Sequence, residues 1–217
     1  MQLQVALDRL TLDDAVRMAT SVEQYADWIE VGTSLIKEFG MESVRRIRQA
    51  VPRARILADI KTNDEARYEF ELCFASGADA ATVMGAAPDA TIEICLSAAR
   101  QQGKQVLIDL LGTTTERQQA LLKYRDAIFG VHVSKDVQES GAGSRISIAS
   151  RLPDWAAEYQ VAIAGGIGLD DIPELGARLP SLTVIVGSAI TGAADAHSAA
   201  RAFASAMAPY RQQKERV

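Results

Sequence analysis

The sequence Leu57-Ala-Asp-Ile-Lys-Thr-Asn-Asp64 places three charged residues at the end of a short apolar run. Asp59 and Lys61 are two residues apart, so their side chains lie on the same face of an extended strand. Burying charges this close together is costly unless they pair with one another, or with a metal ion and a substrate. An isolated pattern of this kind also fits a solvated loop after a strand. The rest of the chain decides between the two interpretations.

Eight short apolar runs recur along the chain, and a segment with helical character follows each of them. Continuous apolar runs are typical of parallel strands that are buried on both faces. The predicted strands span residues 3–7, 26–29, 54–58, 80–83, 105–108, 127–131, 161–164 and 183–186. The predicted helices span residues 11–22, 41–50, 64–75, 90–100, 114–123, 146–151, 170–177 and 196–207. Thr11 is the expected N-cap of the first helix, and residues 138–145 are predicted to form a loop.

Eight strand–helix units predict an α/β protein with one domain, a (β/α)8 TIM barrel that spans residues 1–217. The alternative is an open doubly wound sheet. The commonest nucleotide-binding signature of that fold, Gly-x-Gly-x-x-Gly, does not follow the first run. Residues 211–217 are predicted to be a frayed, charged tail.

Composition and charge restrict the class of protein. The net charge is -5 without a basic stripe, which argues against nucleic acid as a partner. The two cysteines, Cys73 and Cys95, have neither metal-ligand spacing nor a disulfide framework, which favours a reducing compartment. We see no signal peptide and no apolar run near eighteen residues, so we expect a cytoplasmic protein without a membrane partner.

Polar residues stand where the predicted strands end, and in a barrel these ends converge on one mouth. Four acids, a lysine and a histidine would meet there: Asp8, Glu30, Asp59, Asp109, Lys61 and His132. The repulsion between the acids requires a cation, either Lys61 or a hard metal ion such as Mg²⁺. The last two strands end in residues that let backbone N–H groups approach a phosphate: Gly165, Gly166, Gly187 and Ser188.

Some of these residues also have simpler interpretations. A single histidine is more often a packed or surface residue than a catalyst, but a strand end among carboxylates favours proton transfer by His132. His197 has no such context and is predicted to lie on the surface. Asp8 is also compatible with a turn, and Lys135 with a solvated loop.

Motifs at all eight predicted strand ends agree with one known family. They are Val5-Ala-Leu-Asp8, Ile29-Glu-Val-Gly-Thr33, Leu57-Ala-Asp-Ile-Lys-Thr-Asn-Asp64, Thr82-Val-Met-Gly85, Ile108-Asp-Leu-Leu-Gly112, Val131-His132, Ala162-Ile-Ala-Gly-Gly166 and Val184-Ile-Val-Gly-Ser-Ala-Ile-Thr191. From about residue 2 to 206, the chain resembles the 3-hexulose-6-phosphate synthase family. That family is part of the orotidine-5′-monophosphate decarboxylase superfamily, which also contains 3-keto-L-gulonate-6-phosphate decarboxylase.

The resemblance implies a Mg²⁺-dependent aldehyde-lyase that condenses formaldehyde with D-ribulose 5-phosphate, reversibly, to 3-hexulose 6-phosphate through an enediolate. It implies that Glu30 and Asp59 hold the metal, that Lys61 places positive charge beside the enediolate, and that His132 moves the proton. It also implies a homodimer in which Asp64 reaches the neighbouring site. The remaining implied contacts are Asp8 with substrate hydroxyls, Gly165, Gly166, Gly187 and Ser188 with the phosphate, and Asp109 and Lys135 with the substrate.

Three features distinguish this chain within that superfamily. The family usually has Ala-Gly or Gly-Gly after the second aspartate of the motif, where this chain has Glu65-Ala-Arg67, and losing the glycine removes backbone freedom. Lys135 stands where the decarboxylase branch has an arginine, so the charge is kept without the forked geometry. Ser188 and Asp109 replace an arginine and a glutamate of that branch, and both favour the synthase.

The sequence leaves three functions open. The first is the aldol reaction, and the second is decarboxylation of a related phosphosugar such as 3-keto-L-gulonate 6-phosphate. The third is phosphosugar binding without turnover, as a result of the change at residues 65–67.

Overall fold

Eight parallel strands form a closed barrel in the computed structural model, where each strand pairs with the next and the last pairs with the first. The structure describes residues 1–133 and 147–211. Strands β1 to β8 are Gln2–Leu7, Trp28–Val31, Arg55–Thr62, Ala80–Met84, Gln105–Asp109, Ile128–His132, Gln160–Ala164 and Thr183–Val186. The predicted (β/α)8 barrel is confirmed, and the open doubly wound alternative is wrong.

Helices alternate with the strands and pack around the barrel. Within the described ranges, α1 to α9 are Leu12–Val22, Thr33–Phe39, Glu42–Ala50, Ala66–Ala75, Asp89–Gln101, Thr115–Leu121, Ile172–Arg178, Ser188–Thr191 and Ala196–Met207. Short 3₁₀ helices lie at Ala149–Arg151, Asp154–Glu158, Leu169–Asp171 and Ala208–Tyr210. Thr11 caps α1 as predicted, since its side chain accepts a hydrogen bond from the N–H of Asp14.

The structure differs from the predicted helices at several places. Helix α2, which follows Gly32, was not predicted. The helix predicted to begin at residue 64 begins at Ala66, because Glu65 adopts a left-handed conformation with φ 49° that a helix cannot contain. Of the helix predicted at 146–151, the described part contains only the 3₁₀ turn Ala149–Arg151. The loop predicted at 138–145, Lys135 and residues 212–217 lie outside the described residues.

The barrel interior is layered. One buried cluster consists of strand residues alone and fills the lower part of the barrel: Trp28, Leu57, Ala80, Leu107, Ile128 and Ala162. Because side chains on a strand alternate between its two faces, the residue two positions further along also points inward. On β2 the next inward-facing residue after Trp28 is therefore Glu30, and on β3 the next one after Leu57 is Asp59. These residues form a polar layer above the apolar one.

Three further predictions concern membrane-spanning helices, the two cysteines and His197. No helix within residues 1–133 and 147–211 is long and apolar enough to span a bilayer, and the cytoplasmic location stays a prediction. Cys73 and Cys95 are both buried, and this burial raises the pKa of each thiol to about 12. His197, predicted to lie on the surface, is partly exposed on helix α9, where its ring packs edge-on against Tyr25 at 5.1 Å.

Candidate active site

Four predicted residues form a continuous chain of contacts across the mouth of the barrel. Lys61 Nζ lies 3.2 Å from Asp59 Oδ2 and donates to Asp109 Oδ2 at 2.6 Å. On the other side, Asp109 Oδ1 lies 3.1 Å from His132 Nδ1. The structure therefore brings strands β3, β5 and β6 together through their charged residues, and the solvated-loop interpretation of the motif is wrong.

Asp109 is the centre of this chain of contacts. Its side chain is 3% exposed, and Oδ1 also accepts a hydrogen bond from the N–H of Leu111 at 2.9 Å. Burial alone would raise the pKa of this carboxyl, but His132 and Lys61 outweigh that effect and lower it to about 2. Asp109 is therefore ionised at neutral pH and can orient both neighbours.

Lys61 remains a cation although it is partly buried. Burial disfavours the ammonium, yet the charges of Asp59 and Asp109 outweigh this and raise the pKa of Lys61 above its usual range. A lysine with two anionic partners cannot act as a base near neutral pH. Its chemical use is as a fixed positive charge.

Glu30 sits beside Asp59 in a buried setting. Its Oε2 accepts a hydrogen bond from Gln4 Nε2 at 2.5 Å. Burial, together with the negative charge of Asp59, raises the pKa of Glu30 to about 8. Burial contributes most to this rise and Asp59 adds to it, so a cation between the two groups would favour the ionised form of Glu30.

The predicted magnesium ligands fit such an ion by their chemistry. Glu30 and Asp59 offer hard oxygen donors, which Mg²⁺ prefers, and Mg²⁺ is usually held by only one or two carboxylates while substrate and water complete its shell. Within residues 1–133 and 147–211, no group of three or more histidines, cysteines or acids is arranged to hold a metal. Glu30 and Asp59 are the residues that the resemblance implies as ligands, and their donor atoms suit this ion.

Asp8 has a structural partner that the sequence did not indicate. Its Oδ1 accepts hydrogen bonds from Ser34, from the N–H at 3.0 Å and from the hydroxyl at 2.6 Å. A Cβ on Gly32 would lie 2.3 Å from this carboxylate, so a larger residue there would displace the Asp8 side chain. Asp8 is exposed at the rim of the mouth and is tied to the start of α2.

The glycines predicted to hold phosphate lie at the ends of two neighbouring strands, β7 and β8. Gly165 and Gly166 have φ values of 106° and 74°, which disfavour any other residue. Arg151, which the sequence analysis missed, donates from Nη1 to the carbonyl of Gly165 at 2.9 Å. Ser188 is exposed and begins helix α8 directly after Gly187.

Asp64 stands apart from the network. It is exposed, and its Oδ1 accepts a hydrogen bond from the N–H of Glu65 at 2.9 Å. Among the described residues, Asp64 has no ion pair or hydrogen bond with the side chains of the mouth. The position is compatible with a role outside its own subunit, as the resemblance implies.

Three further polar residues support the network and were missed. Thr33 and Thr82 donate to the two oxygens of Asp59, at 2.7 Å and 2.9 Å, and Gln4 contacts Glu30. Gln4 and Thr82 are each 2% exposed. Strand alternation was the signal that could have identified Gln4 and Thr82, because each lies two residues along its strand from another inward-facing residue.

Comparisons with known proteins agree with this architecture. A family model described as orotidine 5′-phosphate decarboxylase / HUMPS family matches residues 1–203. A Bacillus subtilis protein named 3-hexulose-6-phosphate synthase is 37% identical over 199 residues, which cover 90% of this chain and 93% of the relative.

Solved structures give the same result. The 3-hexulose-6-phosphate synthase of Salmonella typhimurium has a TM-score of 0.86 at 33% identity, covering 97% of this chain and 100% of that one. The 3-keto-L-gulonate-6-phosphate decarboxylase of Vibrio cholerae has a TM-score of 0.84 at 30% identity, covering 97% and 99%. The predicted resemblance and the predicted enzyme class, an aldehyde-lyase, are confirmed. The chain belongs to the orotidine 5′-phosphate decarboxylase / HUMPS family.

Proposed function

We propose that this enzyme condenses formaldehyde with D-ribulose 5-phosphate to give 3-hexulose 6-phosphate, and catalyses the reverse cleavage. The observation that carries the proposal is the contact chain Asp59–Lys61–Asp109–His132 at the mouth of a barrel whose curated relatives are named for this product. Such a site offers what an aldol reaction needs, namely a fixed cation and a group that exchanges protons.

The charges suit an enediolate. Removing a proton beside the carbonyl of the sugar phosphate leaves negative charge on oxygen, and Lys61 supplies permanent positive charge at the mouth. Asp109 Oδ1 lies 3.1 Å from Nδ1 of His132, so Nε2 is the ring nitrogen that is left to take up or release a proton. His132 is then the proposed general base and acid.

Magnesium is part of the proposal. Glu30 and Asp59 would hold it, and when bound it would act as a Lewis acid toward oxygens of the substrate. Asp8, at the rim, would contact substrate hydroxyls. The backbone at Gly165, Gly166 and Gly187, together with Ser188, would hold the phosphate, while Asp109 and Lys135 would make further substrate contacts.

Formaldehyde consumption tests the function directly. We expect purified protein with ribulose 5-phosphate and Mg²⁺ to consume formaldehyde, and we expect a chelator to stop this until Mg²⁺ is restored. CO₂ release from 3-keto-L-gulonate 6-phosphate without formaldehyde use would favour the decarboxylase, which the Vibrio cholerae structure keeps as the second candidate. Tight phosphosugar binding without turnover in either assay would indicate the third function.

A homodimer with shared sites completes the proposal. Helices α4 and α5 expose large apolar side chains on the side of the barrel next to Asp64: Tyr68 at 66%, Leu72 at 39% and Ile94 at 40%. Exposed apolar groups of this kind mark interaction surfaces. A second copy packed there would cover them and receive Asp64 near its mouth.

Mixing two inactive variants tests the shared site. If Asp64 acts in the partner's site, co-refolded Asp64→Asn and Lys61→Met chains form mixed dimers that contain one intact site each. Random pairing should then restore roughly a quarter of wild-type turnover, since half of the dimers are mixed and each has one working site of two. Recovery should be absent if Asp64 acts within its own subunit. Mixing Asp59→Asn with Lys61→Met is the control, because both lesions belong to one subunit's motif.

A further inference from the structure

Strand β3 departs from regular pairing where its charged residues begin. Ala58 pairs with Ala81 and Thr62 pairs with Val83, so a step of four residues on β3 faces a step of two on β4. Within this bulge, Lys61 has φ 51°, a left-handed conformation that is unfavourable for a non-glycine residue. Something in the surrounding structure must hold Lys61 in it.

Thr82 is the β4 residue that faces the bulge. It is 2% exposed. Its hydroxyl accepts a hydrogen bond from the backbone N–H of Lys61 at 2.8 Å and lies 2.9 Å from Asp59 Oδ1. The hydroxyl thus replaces the strand acceptor that the bulge removes.

The directions of these two hydrogen bonds are fixed. The N–H of Lys61 can only donate, and Asp59 Oδ1 accepts from the Thr82 hydroxyl. The single proton of the Thr82 hydroxyl therefore points at Asp59, while its lone pair receives Lys61. One hydroxyl sets both the backbone of the lysine and the orientation of the carboxylate.

This arrangement matters because Asp59 and Lys61 must be held in register with Asp109 on the next strand but one. From this bulged backbone, Lys61 Nζ lies 3.2 Å from Asp59 Oδ2 and 2.6 Å from Asp109 Oδ2. Thr33 holds the second oxygen of Asp59 from the opposite side, so the carboxylate is clamped between two hydroxyls.

We propose that Thr82 is a positioning residue for the reaction, in that its hydroxyl holds the carboxylate of Asp59 and the backbone of Lys61 in their working geometry. The inference rests on the proposed function for its kinetic consequence. It predicts that Thr82 acts on turnover rather than on binding of the phosphosugar, whose phosphate is held by β7 and β8.

The test compares Thr82→Val, which keeps the shape and removes the hydroxyl, with Thr82→Ser, which keeps the hydroxyl. We expect kcat of the valine variant to fall about 10- to 100-fold, which is typical when a residue that hydrogen-bonds to a metal ligand is lost. KM for ribulose 5-phosphate should stay nearly unchanged. The serine variant should recover most of the lost kcat. Ser43→Ala, which removes a fully buried hydroxyl far from the mouth, should lose stability but keep kcat.

Hydrogen exchange at the amide of Lys61 gives a readout that needs no activity. It should be slow in the wild type and in Thr82→Ser, and much faster in Thr82→Val, where the amide loses its acceptor. Unchanged kcat in Thr82→Val, equal loss in the serine and valine variants, or a loss confined to KM would each overturn the inference. If wild-type protein uses no formaldehyde, the proposed function fails. The positioning geometry is then still supported if the Lys61 amide exchanges slowly in wild type and fast only in Thr82→Val. It is overturned if exchange in Thr82→Val is unchanged.

Discussion

Replacing Asp59 with asparagine should reduce turnover by at least about 10³-fold, which is the largest loss we expect from any single substitution in this enzyme. Asp59 takes part in several interactions of the mouth. It is an ion-pair partner of Lys61, it accepts from Thr33 and Thr82, and it is one of the two proposed magnesium ligands. Asparagine preserves the shape of the side chain but removes its charge. The NH₂ group of its amide would face a lysine ammonium or a threonine hydroxyl proton, and these are donors too.

The measurement is kcat for formaldehyde use across a range of Mg²⁺ concentrations. Asp79→Asn is the matched control, because Asp79 is also a partly buried carboxylate with cationic partners, Arg48 and Lys104, but it lies at the opposite end of the barrel strands. The control should lose stability and keep kcat. Turnover of Asp59→Asn within about tenfold of wild type would contradict both the metal assignment and the role of the network.

Replacing Lys61 with methionine should lower kcat by about 10² to 10³-fold, because the developing negative charge then has no ammonium beside it. Methionine keeps most of the length of the side chain and its apolar stem. The loss should appear in kcat and kcat/KM alike, since the proposed interaction is made in the transition state and not with the bound sugar.

Lys104→Met is the matched control for this substitution. The side chains of Lys61 and Lys104 are 29% and 27% exposed, and each contacts a carboxylate, at 2.6 Å to Asp109 and at 2.8 Å to Asp79. Each variant removes one cationic partner from an acid, so both should lower the free energy of unfolding. Only Lys61→Met should lose turnover. Equal kcat in the two variants would show that the charge of Lys61 is structural.

The structure shows the backbone conformation of the unusual residues after Asp64. Glu65 occupies a left-handed conformation, which glycine adopts freely and glutamate adopts at a cost of about 1–2 kcal/mol. The family usually has a glycine nearby. Here Asp64 accepts a hydrogen bond from the Glu65 N–H, which helps to hold the loop without one. The change therefore stiffens the segment that carries Asp64 and does not remove that residue from the surface.

Much of the fold could be predicted because its signals are local. Continuous apolar runs such as 161–164 and 183–186 identify buried parallel strands, and their ends identify the mouth. The start of the helix after β3 could not be predicted, since a left-handed Glu65 depends on the loop geometry around it. Gln4 and Thr82 were missed although strand alternation places both on the inward face, because a single polar residue in a strand does not identify its partner.

The barrel, the strand ends and the residue types that meet there follow from local sequence, because periodicity and composition act over a few residues at a time. The contacts between these residues follow only from the folded barrel. Lys61 reaches Asp109 across 48 residues, and Thr82 reaches Asp59 across 23. Such pairs depend on the register between strands and on the bulge in β3, which follow from packing the whole barrel. The chemistry of the site therefore comes from contacts between strands that no single stretch of the chain contains.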